Sequence, residues 1–115
     1  MRYMLVIYGN DDDWTQRPVE ELEPILSEHE SFSEDLRRAG KLVSSEALQP
    51  SSTVTTIRMK DDEPLLTDGP YIESKEQIGG FYLIDVADLD EALEWGKRLA
   101  GFEESPVTVW PVIEM

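Results

Sequence analysis

The chain has 115 residues, the size of one domain, and its 40% hydrophobic content can supply a core without covalent staples. It has no cysteine, which excludes disulfides, thiolate metal sites and a cysteine nucleophile together. Ten basic residues against 25 acidic ones leave a formal charge of −15. That surface repels phosphate backbones and anionic membranes, so no nucleic acid and no membrane is expected among its partners, and the acidity reads as solubility.

Residues 2–8 read as a first strand, apolar on both faces, with Tyr3, Leu5 and Ile7 on one and Met4, Val6 and Tyr8 on the other. The run is too short, and the following Gly9-Asn10-Asp11-Asp12-Asp13 too acidic, for a signal peptide. No stretch approaches the length of a membrane span, and the expected address is cytoplasmic. A helix is expected over about residues 18–39, with Leu22, Ile25, Leu26, Phe32 and Leu36 on one face and Gly40 just past its end. Pro24 is its misfit, since a proline there either kinks the helix early or marks its true first turn.

Residues 41–48 read as a second strand. The run 53–60, a turn at Asp61-Asp62-Glu63 and the return 65–67 make a hairpin, and Asp68-Gly69-Pro70 is a turn. Residues 81–86 form the next strand, again apolar on both faces. Asp88-Leu89-Asp90-Glu91 has capping-box spacing and opens a second helix running to about residue 100, with Leu89, Ala92, Leu93 and Leu99 inward and Gly101 as its stop. Residues 106–113 form the last strand, with Val107, Val109 and Ile113 opposite Thr108, Trp110 and Val112.

The order βαβ–hairpin–βαβ in a single domain over residues 1–115 predicts an α+β, ferredoxin-like arrangement with both helices on one face of the sheet. Strands apolar on both faces need cover on the helix-free side, and a second copy, giving a homodimer, is the expected cover.

The segments Thr67-Asp68-Gly69-Pro70-Tyr71, Glu73-Ser74-Lys75-Glu76-Gln77 and Gly79-Gly80-Phe81-Tyr82 together resemble the signature of the YCII-related (DGPF-domain) family. Tyr71 stands where phenylalanine is usual and Ser74 where threonine is usual. The opening Arg2-Tyr3-Met4-Leu5, the helix end Leu36 to Gly40 and the stretch Asp88 to Leu93 are similar to that family as well, so the resemblance covers nearly the whole chain. It implies a dimeric α+β barrel. It also implies a family in which some members are encoded beside or fused to extracytoplasmic-function sigma factors and a few relatives are dehydrochlorinases of chlorinated hydroxyquinols. A His–Asp pair is the proposed active site of the wider family.

His29 is the one histidine, placed on the apolar face of the first helix, and its spacing to Leu42 is similar to that of the wider family's helix histidine. Two readings stand for it, a general acid/base and a buried structural imidazole. Asp68 is either the carboxylate that orients His29 or an ordinary turn residue. Lys75 could hold an anionic substrate group or simply pair on the surface, and Gly79 and Gly80 could admit a ligand to the backbone or form a bulge. Arg2 and Arg58 are weaker candidates for an anion.

The acidic clusters at Asp11–Asp13, Asp61–Glu63 and Glu103-Glu104 lack the spacing of a calcium loop and read as solvated loops; one histidine cannot build a zinc site. Glycine-rich nucleotide motifs are absent, and no cofactor and no metal is expected. The expected function is a cofactor-independent small-molecule lyase or isomerase, dehydrochlorinase-like, with His29 and Asp68 catalytic and Lys75, Gly79 and Gly80 at the substrate. The alternative is a non-catalytic ligand-binding or regulatory partner, linked to a sigma factor by family analogy.

Overall fold

The structure, a computed structural model, describes residues 1–10 and 16–115; the expected loop at Asp11–Asp13 lies outside them. The alternation of the opening run builds the centre of the sheet. Strand β1 (Arg2–Gly9) buries Tyr3, Leu5 and Ile7 in the core. It pairs antiparallel with β5 (Gln77–Asp85) on one side and β6 (Val107–Pro111) on the other. Strand β2 (Leu42–Ala47) adds outside β5, giving the order β2-β5-β1-β6. Helices α1 (Val19–Arg38) and α2 (Leu89–Glu103) bury Phe32, Leu36, Ala92 and Leu99 against Tyr3, Leu5, Tyr82 and Ile84, on the same face of the sheet. The fold is α+β and compatible with the ferredoxin-like arrangement.

Helix α1 runs through Pro24 rather than starting there, with Pro18 at its N-cap. Its end matches the sequence expectation closely. Gly40 takes φ 72°, its N–H bonds the Arg37 carbonyl, and the Lys41 N–H bonds the Leu36 carbonyl, a Schellman closure that needs the left-handed backbone glycine allows. Helix α2 opens as its capping box predicts. The Asp88 carboxylate accepts the Glu91 N–H at 2.9 Å, while the Glu91 carboxylate reaches back to the Ala87 N–H at 3.2 Å.

Two expectations for α2 are corrected. Gly101 does not stop it: the helix continues to Glu103 and closes on Glu104, whose φ of 54° is left-handed. Leu89 and Leu93 are exposed, and the buried stripe is Ala92, Gly96 and Leu99. Gly96 sets this rotation, because a Cβ there would stand 3.2 Å from Val109 Cγ2, and the missing side chain lets the helix lie close to the sheet at that point.

Strands β3 (Thr55–Lys60) and β4 (Glu63–Asp68) form their own two-stranded sheet after a 3-10 turn at Ser51–Thr53. The hairpin turns on Asp61 and Asp62, both at positive φ, so Glu63 belongs to the strand and not to the turn. Ile113, expected within the last strand, lies past the end of β6 and is exposed. Strand β5 starts four residues earlier than expected, which places Gly79 and Gly80 inside it.

Candidate functional site

The N-terminal half of α1 overhangs the sheet end rather than the core, which is why Leu22 and Ile25 are only partly buried and Leu26 is exposed. Beneath it opens a cavity of about 460 Å³. Ile25, Leu26 and His29 of α1 form its roof, and the ends of β1, β2 and β5 its floor. The end of α2 and the residues after it, Glu103 to Pro106, close one side, with Arg17 and Glu76 also at its wall.

Gly79 and Gly80 both line this cavity, and Gly80 has a backbone reason to be glycine. The register between β1 and β5 passes from Ile7–Gly80 to Tyr8–Ile78, so Gly79 is the extra residue of a bulge. A Cβ on Gly80 would lie 2.8 Å from the Glu46 carbonyl oxygen, so only glycine permits β2 to approach β5 there. The bulge reading and the ligand-approach reading therefore meet at the same two residues.

His29 sits at the cavity wall with one-fifth of its side chain exposed. Its Nε2 meets the Glu103 carboxylate, and its Nδ1 lies 2.7 Å from the Tyr82 hydroxyl. An ionised carboxylate can only accept, so Nε2 carries the proton. In the neutral imidazole Nδ1 then accepts from the Tyr82 O–H, and the chain reads Tyr82 O–H to Nδ1, Nε2–H to Glu103. Ser33 Oγ donates to the Tyr82 oxygen at 3.4 Å. Burial holds the Tyr82 hydroxyl above its ordinary pKa; the Ser33 hydrogen bond opposes this and the Glu103 charge adds to it, so the phenol keeps its proton at neutral pH.

The ring is held by stacking as well as by hydrogen bonds. It lies parallel to Tyr82 with centroids 5.9 Å apart, and meets Phe102 edge-on at 4.9 Å. Phe32 in turn meets Tyr82, Trp95 and Phe102 edge-on, tying the site to the core. Ser105 Oγ, also in the cavity wall, is buried without a hydrogen-bond partner.

The structure brings together His29, Gly79 and Gly80 from the sequence candidates and leaves the others apart. Asp68 ends β4, is exposed, and pairs across the hairpin with Thr55; the carboxylate on His29 is Glu103 instead. Lys75 is exposed in the loop before β5, outside the cavity lining. Arg58 lies over the Tyr71 ring at 5.3 Å, and Arg2 is exposed on β1. The expectation of a solvated loop at Glu103 is corrected, since Glu103 is the last residue of α2 and is largely buried; the spacing Ala92, Gly96, Leu99, Glu103 continues the buried stripe of the helix and is the signal that points to it. No group of side chains able to hold a metal occurs among the described residues, and none of their helices is long and apolar enough to cross a membrane.

Comparison with known proteins agrees with the motif resemblance. The family model described as YCII-related domain matches residues 1–115. An uncharacterised protein of Rhizobium meliloti (strain 1021) is 34% identical over 105 residues, which cover 91% of this chain and 85% of that protein.

Proposed function

The chain belongs to the YCII-related domain family, and from that premise we propose that its cavity takes a small organic molecule and moves a proton on it without a cofactor, as a lyase or isomerase. The observation that carries this reading is the hydrogen-bonded chain Tyr82–His29–Glu103 in the wall of a 460 Å³ cavity. A carboxylate behind an imidazole fixes its tautomer and stabilises the imidazolium that forms when it takes a proton. When the Tyr82 O–H turns from Nδ1 to an oxygen of the ligand, Nδ1 is freed as the base and the phenol stabilises the charge that develops. The bare backbone at Gly79 and Gly80 gives the ligand close approach, and the buried Ser105 hydroxyl offers it a partner. Glu46, Glu76, Glu103 and Glu104 against Arg17 favour a neutral or weakly basic molecule over an anion.

The second reading is a ligand-binding or regulatory module, and one observation favours it: both imidazole nitrogens are already engaged. Under either reading, two copies pair through the helix-free face of the sheet, where Met4, Phe81, Leu83 and Trp110 lie together.

As the one histidine, His29 gives an unambiguous imidazole resonance, which can be followed while a panel of small neutral aromatics and carbonyl compounds is added in D₂O. Compounds that move it should also exchange a carbon-bound proton for deuterium. His29→Asn should slow that exchange by about 10²–10⁴-fold, and Glu103→Gln by a smaller factor. Ligands that bind at His29 yet exchange nothing would leave the binding module as the better account.

A further inference from the structure

The β3–β4 hairpin is the part of the molecule least explained by the cavity. None of residues 43–79 is buried. The hairpin register puts Thr55, Ile57 and Met59 on one face with Asp68, Leu66 and Pro64, and Thr56, Arg58 and Lys60 on the other with Thr67, Leu65 and Glu63. On the second face the chain makes two contacts of its own, Tyr71 against Arg58 and Thr56 Oγ1 donating to the Gly69 carbonyl at 2.7 Å. The first face is apolar and bare, with Ile57, Met59 and Leu66 each about two-thirds exposed.

An isolated two-stranded hairpin is marginal in water and needs an apolar surface to lean on. This one does not fold back onto its own domain. The radius of gyration is 16.1 Å, against about 13 Å for a compact domain of this length. The accessible surface is 8244 Å², whereas a compact monomer of this mass exposes about 6,400 Å². The excess, roughly 1,800 Å² per chain, is what one partner buries in an obligate homodimer. Cover that the hairpin needs in order to be stable must be present whenever the chain is, and another copy of the chain meets that condition. The chain also carries a second apolar surface, the helix-free sheet face, where Met4, Phe81 and Leu83 are partly exposed and Trp110 is exposed, and two-fold symmetry lets such surfaces be covered reciprocally.

We propose that the β3–β4 hairpin is an arm whose Ile57–Met59–Leu66 face packs against a second copy of this chain, so that two copies clasp one another. The clasp rests on the pairing of copies stated above and is independent of any catalytic role for His29.

Sedimentation equilibrium on the whole chain should give twice the 13.1 kDa chain mass at micromolar concentration. The double substitution Ile57→Asp and Leu66→Asp buries two unpaired charges in the clasp and should raise the dissociation constant by at least about 100-fold, with the circular dichroism unchanged. A photo-crosslinking residue at Met59, in a mixture of isotopically heavy and light chains, should give heavy–light products. It decides the matter even if the double variant misfolds. A monomeric wild type would overturn both the pairing and the clasp. A dimeric wild type whose double variant keeps the same dissociation constant, or whose Met59 crosslinks only within its own chain, would overturn the clasp and leave the pairing standing.

Discussion

Tyr82 belongs to the core and to the candidate site at once, and the two roles constrain each other. Its ring is wedged between Phe32 and His29, and its hydroxyl is the donor to Nδ1. Burial raises its pKa above the ordinary 10.0, so the folded chain holds the phenolic proton more tightly than the unfolded chain. The stability this represents is fully present below pH 10 and is lost as pH rises through the raised value. Wild type should therefore lose more stability than Tyr82→Phe between pH 8 and pH 11, read as the change in urea midpoint; equal losses would mean that the phenol titrates as it does in water. His29 was legible in the sequence because an imidazole on an apolar helix face is conspicuous. Its carboxylate was not, because Asp68 stood in a recognisable motif while Glu103 stood after a glycine that looked like a helix end.

At the level of elements, helix termini decided what could be read. Gly40 ends α1 because the residues after it leave for β2, and the Schellman bonds follow. Gly101 has the same local appearance, but α2 has another turn of packing available, with Phe102 against the core and Glu103 on His29. Tertiary contact outweighs the roughly 1 kcal/mol that an interior glycine costs a helix. The left-handed Glu104 ends the helix without glycine's help.

The start of α2 was fully legible, and it carries a pH-dependent tie that the sequence did not disclose. Glu91, after its capping role, also pairs with Lys41 at the exit from α1. The Lys41 hydrogen bond, against a smaller opposing effect of burial, holds the Glu91 carboxyl below its ordinary value. A depressed carboxyl stabilises the fold above its unfolded pKa, and that stability is lost as pH falls through the lowered value. Glu91→Gln should flatten the acid arm of the stability profile between pH 5 and pH 3 while leaving its alkaline arm in place. An acid arm as steep as that of wild type would mean that the pair contributes nothing.

On the scale of the whole molecule, the order of elements, helix placement and a helix-free apolar face all follow from period-2 and period-3.6 patterning, which local sequence records well. The cavity does not follow from patterning, because it depends on where α1 overhangs the sheet and on a bulge one residue long at Gly79. Net charge is the remaining whole-molecule property, and it acts against assembly. Two chains of −15 repel each other, so the proposed pairing would have to be driven by apolar surface strongly enough to overcome that repulsion. Salt screens the repulsion, with the Debye length falling from about 10 Å at 0.1 M to 3 Å at 1 M. It has far less effect on apolar contact. Raising sodium chloride across that range should therefore tighten the dimer severalfold in sedimentation equilibrium, and the Ile57→Asp/Leu66→Asp variant should show the same direction from a weaker starting point. A dimer that loosens with salt would instead be held by ion pairs between copies, and the apolar faces of the sheet and of the hairpin would then have to be covered by something else.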